Sequence, residues 1–138
     1  MLRILILSVI ATGEAHGYEV RNRISQLTEE QVKLSPGILY PLLPILRGKG
    51  LIEVVKEYKE GRRKKVYRLT LKGREYLTPR LPIVVRTLRR VADFLERVHE
   101  LLEEGESAEA AYREILLDLK KRIERRIEAI DQLVSGEE

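Results

Sequence analysis

The stretch SPGILYPLLPILRGKG, beginning at Ser35, constrains the fold of this chain more than any other. Ser35 can accept backbone N–H bonds as a helix N-cap. Pro36 then occupies the first helical position, where its missing donor costs nothing. Leu39, Leu42, Leu43 and Leu46 follow at the i, i+3, i+4, i+7 spacing of a core-facing stripe, and the opposite face carries Gly37, Tyr40, Pro41 and Pro44. The apolar stripe needs neighbouring elements to bury it, and the flanking sequence supplies them.

Upstream, Leu2, Leu5, Ile6 and Val9 keep helical spacing, and Gly13 sits where a left-handed helix cap is commonly needed. After TGEAHG, the residues Val20, Ile24 and Leu27 mark one face of a second helix that begins near Tyr18 and ends near Thr28. Downstream, LIEVVKEY from Leu51 and KKVYRL from Lys64 are rich in β-formers and are separated by a short stretch containing Gly61. They predict a hairpin whose tip is Arg62, Arg63, Lys64 and Lys65. Three short helices followed by a hairpin with a basic tip is the element order of a winged helix-turn-helix. The predicted fold is therefore mainly α with a small β-hairpin, and Thr70 is placed to cap the next helix.

Beyond a bend at Pro79 and Pro82 the pattern changes. Leu81, Val84, Leu88, Val91, Leu95, Val98 and Leu102 step by alternating three and four residues, the signature of a heptad seam. Gly105 breaks this helix, Ser107 can cap another, and Leu116, Leu119, Ile123, Ile127, Ile130 and Leu133 form a second, less regular stripe. The chain thus divides into a winged helix-turn-helix domain at 1–77 and a helical dimerisation region at 78–138. The winged domain has already used its own apolar faces, so the seam is expected both to pack within the chain and to pair with a second copy.

Charge follows the same division. Residues 1–75 hold 15 Lys and Arg against 8 Asp and Glu, a surplus of +7, whereas the remainder holds 11 against 14, or −3. A basic front half fits a polyanionic partner. With 138 residues, 43% hydrophobic and 35% charged, the chain suits one compact folded domain plus an appendage. It contains no Cys, which excludes a disulfide framework, a zinc ribbon and a cysteine nucleophile, and points to a reducing, cytoplasmic setting. The opening MLRILILSVIA resembles the apolar core of an export signal. A single basic residue, Arg3, and no persuasive cleavage site favour a buried first helix instead, and the run is too short to cross a bilayer. Enzyme signals are weak. Glu96 and His99 form one Glu-x-x-His pair where a di-iron bundle needs more, His16 is better placed to order the start of the second helix, and no phosphate-binding glycine loop or nucleophile elbow occurs. No cofactor or metal is expected.

Four ordered motifs carry a further resemblance: HGYEV at 16–20, SPGILYPLL at 35–43, KGLIEV at 49–54 and YRLTLKGREYL at 67–77. In these the chain resembles the PadR family of winged-helix transcriptional regulators. That resemblance implies a homodimer joined through the C-terminal helices, double-stranded DNA bound through the third helix and the wing, and usually repression of a nearby gene. Two departures stand out: Pro44 and Ile45 follow Tyr40-Pro41-Leu42-Leu43 where the family usually has one or two basic residues, and Ile38 replaces the Thr that often follows the glycine.

Base reading in the major groove normally uses Arg, Lys, Asn or Gln, and this third helix offers almost none, with Arg47 and Lys49 only near its far end. On the strength of the resemblance, Tyr40 is expected to bond a phosphate. Ser35, Pro36 and Gly37 are helix-start devices that also let backbone amides approach a phosphate, and Lys33 can join them. Arg62, Arg63, Lys64 and Lys65 can lie along a strand or enter a narrow A·T-rich minor groove. The competing reading of this cluster is a solvated patch balanced by Glu57 and Glu60. Sequence discrimination is expected to rest on DNA shape and on the spacing of two half-sites. A winged-helix adaptor that binds protein instead of DNA is the alternative. A cleft between the dimer helices and the winged domain is a place for a small apolar effector.

Overall fold

A computed structural model describes residues 1–105 and 107–136. Its elements are α1 (Leu2–Ala11), β1 (Ala15–His16), α2 (Gly17–Leu27), α3 (Pro36–Gly48), β2 (Ile52–Tyr58), β3 (Lys64–Leu69), α4 (Leu71–Leu77), α5 (Leu81–Glu103) and α6 (Ala108–Ser135). They cluster into two units, Met1–Val85 and Arg86–Glu138.

In the first unit, α1 packs against α2, α4 and β3, so it is enclosed on more than the single stripe expected. Ile4, Ile6, Leu7, Val9 and Ile10 are buried, and Leu2 and Leu5 pack at the edge of the same core. The helix ends at Thr12 without a left-handed residue. Gly13 has φ +155 and leads into β1 instead of closing the helix as expected.

His16 is the N-cap of α2. Its Nδ1 accepts from the Glu19 N–H at 3.3 Å, while the Glu19 carboxylate accepts from the His16 N–H at 2.9 Å, a reciprocal capping box. Val20 and Ile24 are buried, but Leu27, assigned from the sequence to the same stripe, is 69% exposed at the helix end. The turn into α3 carries Glu29 and Glu30 at φ +48 and +65. It is tied down by the Thr28 hydroxyl, which accepts from the Val32 N–H at 3.1 Å, and by Arg21, whose Nε donates to the Leu34 carbonyl at 2.8 Å.

Leu39, Leu43 and Leu46 of α3 are buried and Leu42 packs beside them, as the stripe predicts. Ser35 does stand at the N-cap, but its hydroxyl makes no capping bond. Pro36 and the extended backbone at Ser35 mark the helix start instead.

The expected hairpin has a third strand. β1 pairs with β3 through Ala15↔Tyr67 and His16↔Val66, giving an antiparallel sheet in the order β1-β3-β2. Lys64 and Lys65 lie within β3, opposite Tyr58 and Glu57, so the tip proper is shorter than predicted and contains Arg62 and Arg63. The β2–β3 register shifts between Val54 and Lys56. Thr70 then starts α4, its hydroxyl accepting from the Gly73 N–H at 2.9 Å and donating to the Gly50 carbonyl at 2.5 Å.

In the second unit the α5–α6 turn is built as the sequence suggests. Gly105 takes φ +76, and the Ser107 hydroxyl accepts from the Ala110 N–H at 3.1 Å. Leu101 and Ala111 are buried at this turn, and Arg97 bridges Glu114 and Glu100 beside it. Hydrogen bonding to those two carboxylates raises the Arg97 pKa above its ordinary value. Among the described residues no helix is long and apolar enough to cross a membrane.

Candidate nucleic-acid interface

The outward side of α3 is set by which of its residues the core consumes. With Leu39, Leu43 and Leu46 turned inward, the residues Gly37, Ile38, Tyr40, Pro41, Pro44, Ile45 and Gly48 are exposed. The surface is smooth and apolar. Its one hydrogen-bonding side chain among those seven is Tyr40, 48% exposed. Arg47 and Lys49 follow at the C-terminal end, and Lys49, Gly50 and Leu51 lead directly into β2.

The Tyr40 ring lies against the first residue of α2. A β-carbon on Gly17 would stand 2.7 Å from Tyr40 Cε1 and 3.1 Å from Cζ, closer than ring and methyl can approach. Gly17 is thus a seat for Tyr40. The sequence reading left Gly17 without a role, although a glycine heading a helix beside a capping residue was the available signal. Nearby, burial pushes the Tyr67 phenol above its ordinary pKa. The Arg47 cation opposes that shift, and Tyr40 and Glu57 add to it.

On the wing, Arg62, Arg63 and Lys64 are exposed and Lys65 is half-buried. None of the four has an ion-pair partner among the described residues, Glu57 and Glu60 included. Two other acids near the sheet meet Arg68 instead: Glu53 at 2.6 Å and Glu14 at 3.8 Å. The bond to Glu53 raises the Arg68 pKa above its ordinary value. Lys33 differs from the wing cations, since it pairs with Glu30 at 3.4 Å on an exposed turn. Ser35, Pro36 and Gly37 are exposed at the start of α3.

The residues of the heptad seam divide. Val84 packs against the core of the first unit. Leu88, Val91, Leu95 and Leu102 on α5, and Leu116, Leu119, Ile123, Ile127 and Ile130 on α6, are each roughly half exposed within the single chain, and Val98 is half-buried. Leu81 is at the margin of exposure. Between α5 and α6 lies a groove of about 940 Å³, lined by Phe94, Tyr112, Ile115, Leu116, Leu119 and Ile123 among others. His99 faces Glu103 at 3.5 Å, both on open surface. Among the described residues no group of three or more His, Asp or Glu could hold a metal ion.

A helix-turn-helix followed by a basic β2–β3 hairpin, with β1 completing a three-stranded sheet, defines a winged-helix fold. The model of the transcriptional regulator PadR-like family matches residues 6–79, over half of the chain, and the chain belongs to that family. That family is described as one of transcriptional regulators. The chain is 37% identical over 76 residues to the transcriptional regulator YqjI of Escherichia coli K12, covering 55% of this chain but only 35% of that protein. It is 36% identical over 77 residues to the transcriptional regulator Rv3488 of Mycobacterium tuberculosis, covering 56% of this chain and 69% of that one. Among solved structures, a transcriptional regulator from Clostridium thermocellum superposes with a TM-score of 0.59 at 26% identity, covering 67% of this chain and 91% of that one. A PadR family regulator from Clostridium difficile superposes with a TM-score of 0.53 at 26% identity, covering 68% and 97%.

Proposed function

We propose that the chain works in the cytoplasm as a homodimeric repressor that binds duplex DNA at a pseudo-palindromic operator. Residues 1–77 grip the DNA and residues 78–138 join the two copies. One observation carries this reading: four wing cations without ion-pair partners among the described residues, on the hairpin that directly follows a bare α3. Phosphates are the natural counter-charge for such a cluster, and the major groove is wide enough to admit an α-helix. In this reading Arg62, Arg63, Lys64 and Lys65 hold backbone phosphates or a minor groove. Tyr40 bonds a phosphate, and Ser35, Pro36, Gly37 and Lys33 border the strand at the start of α3. Selecting bound duplexes from a random pool and titrating them against salt tests the function. Log affinity should fall linearly with log salt, and affinity for no duplex at low salt would remove the proposal.

Dimerisation rests on the seam of half-exposed leucines, valines and isoleucines on α5 and α6. Apolar surface of that extent on a soluble chain needs a cover, and a second copy supplies a matching seam. Two-fold pairing sets the recognition helices about 34–36 Å apart, one turn of DNA. Replacing Leu119 and Ile123 together by Glu is expected to yield a monomer in sedimentation at micromolar concentration, with operator affinity down at least about tenfold. A dimer that survives both charges would place the interface elsewhere.

The seat at Gly17 gives a further expectation. Gly17→Ala forces the Tyr40 ring to move while adding a residue that helices tolerate well. Thermal stability should change by less than about 1 kcal/mol while operator affinity falls about three- to tenfold, the worth of one phosphate bond. Unchanged affinity would mean that the Tyr40 hydroxyl does not touch DNA.

A further inference from the structure

The exposed side of α3 raises a question of specificity, because it offers almost no donor or acceptor with which to read a base edge. Ile38 is 50% exposed and Ile45 42% exposed, seven residues apart on one flank of the helix, with exposed Pro41 between them. Gly37 and Gly48 leave the neighbouring surface low, so Ile38, Pro41 and Ile45 stand proud of this flank. Carbon is a poor reader of hydrogen-bonding edges, but the major groove also presents one apolar group, the C5-methyl of thymine. We propose that this protein reads thymine methyl groups in the major groove through Ile38, Pro41 and Ile45. The inference rests on the DNA-binding reading above and assigns its base preference.

Charge selects this occupant over a protein surface. The α3 sequence contains no acidic residue, Arg47 and Lys49 stand at its end, and the basic wing follows through Gly50 and Leu51. An apolar strip bordered by cations complements a groove whose floor carries methyl groups and whose walls carry phosphates.

Deoxyuridine tests this directly, since it removes only the methyl group and keeps every hydrogen-bonding edge. Duplexes selected from a random pool by the full chain are resynthesised with dU in place of single thymines and titrated at fixed salt. Each thymine facing α3 should cost about fourfold in affinity when replaced, the worth of one buried methyl. Ile38→Ala and Ile45→Ala should each bind dT and dU duplexes nearly alike at the thymine facing the substituted residue and keep the difference at the others. Ile38→Val, which keeps two branch methyls, should restore most of the difference. Both positions are on the surface, and melting curves matching the parent establish that the variants are folded. If dU duplexes bind as tightly as dT duplexes while selection still returns a defined site, methyl reading is wrong and DNA regulation stands. If the pool yields no bound duplex at low salt, both readings fall.

Discussion

Gly73→Ala is expected to be the most damaging single substitution in the winged unit, lowering its stability by about 3 kcal/mol. Gly73 lies in the first turn of α4, buried against the strand that follows α3. A β-carbon there would overlap the Leu51 carbonyl oxygen and come within 2.9 Å of the Leu51 carbonyl carbon and 2.8 Å of Leu69 Cδ1. Two of these obstacles are backbone, and the Leu51 carbonyl also accepts the Thr70 N–H at 3.1 Å, so neither side can yield cheaply. The measurement is a melting curve, where the loss should read as a fall on the order of 15 °C. A melting temperature within about 2 °C of the parent would show that α4 and β2 can part without cost. Because Leu51 joins α3 to β2, any variant that does fold should also bind DNA less well.

Neutralising the wing should have the largest effect on binding. With Arg62, Arg63, Lys64 and Lys65 all changed to Ala, operator affinity near physiological salt is expected to fall about a hundredfold. The slope of log affinity against log salt should become shallower by about 2 to 4. Folding should be nearly untouched, since none of these residues belongs to the core. The competing reading, a patch balanced by Glu57 and Glu60, predicts the reverse pattern, with altered stability and unaltered binding. Changing Glu57 and Glu60 to Gln separates the two further, because removing acids from a DNA-facing wing should tighten binding slightly.

Much of the winged unit was legible because its signals are local. The α3 stripe, Thr70 before α4, Gly105 and Ser107 at the α5–α6 turn, and His16 before α2 each depend on residues a few positions apart. The departures share a different origin. Strand β1 has only two residues and its partners, Val66 and Tyr67, are distant in sequence, so no alternation announces it. Lys64 and Lys65, read both as the start of the run KKVYRL and as part of the tip, belong to β3, because cross-strand pairing continues to Tyr58. Leu27 lies on the periodic face of α2 but at its final turn, where the core has ended. Ser35 occupies the N-cap position without making the bond that its residue type suggests. At the candidate interface, the exposed α3 residues followed from helical phase once the buried leucines were known. Whether Glu57 and Glu60 pair with the wing cations depends on side-chain placement across the hairpin, a tertiary matter that residue type does not encode.

The contact between Gly17 and Tyr40 bears on how such a regulator can be redirected. Grafting the outward residues of another recognition helix onto α3 is the obvious route to a new operator. Here α3 is not a self-contained cassette, because the Tyr40 ring lies against Gly17 at the head of the preceding helix. A donor helix with a small residue at 40 would leave a gap beside Gly17, and a recipient scaffold with a larger residue at 17 would tip a grafted tyrosine outward. The two positions have to be exchanged together.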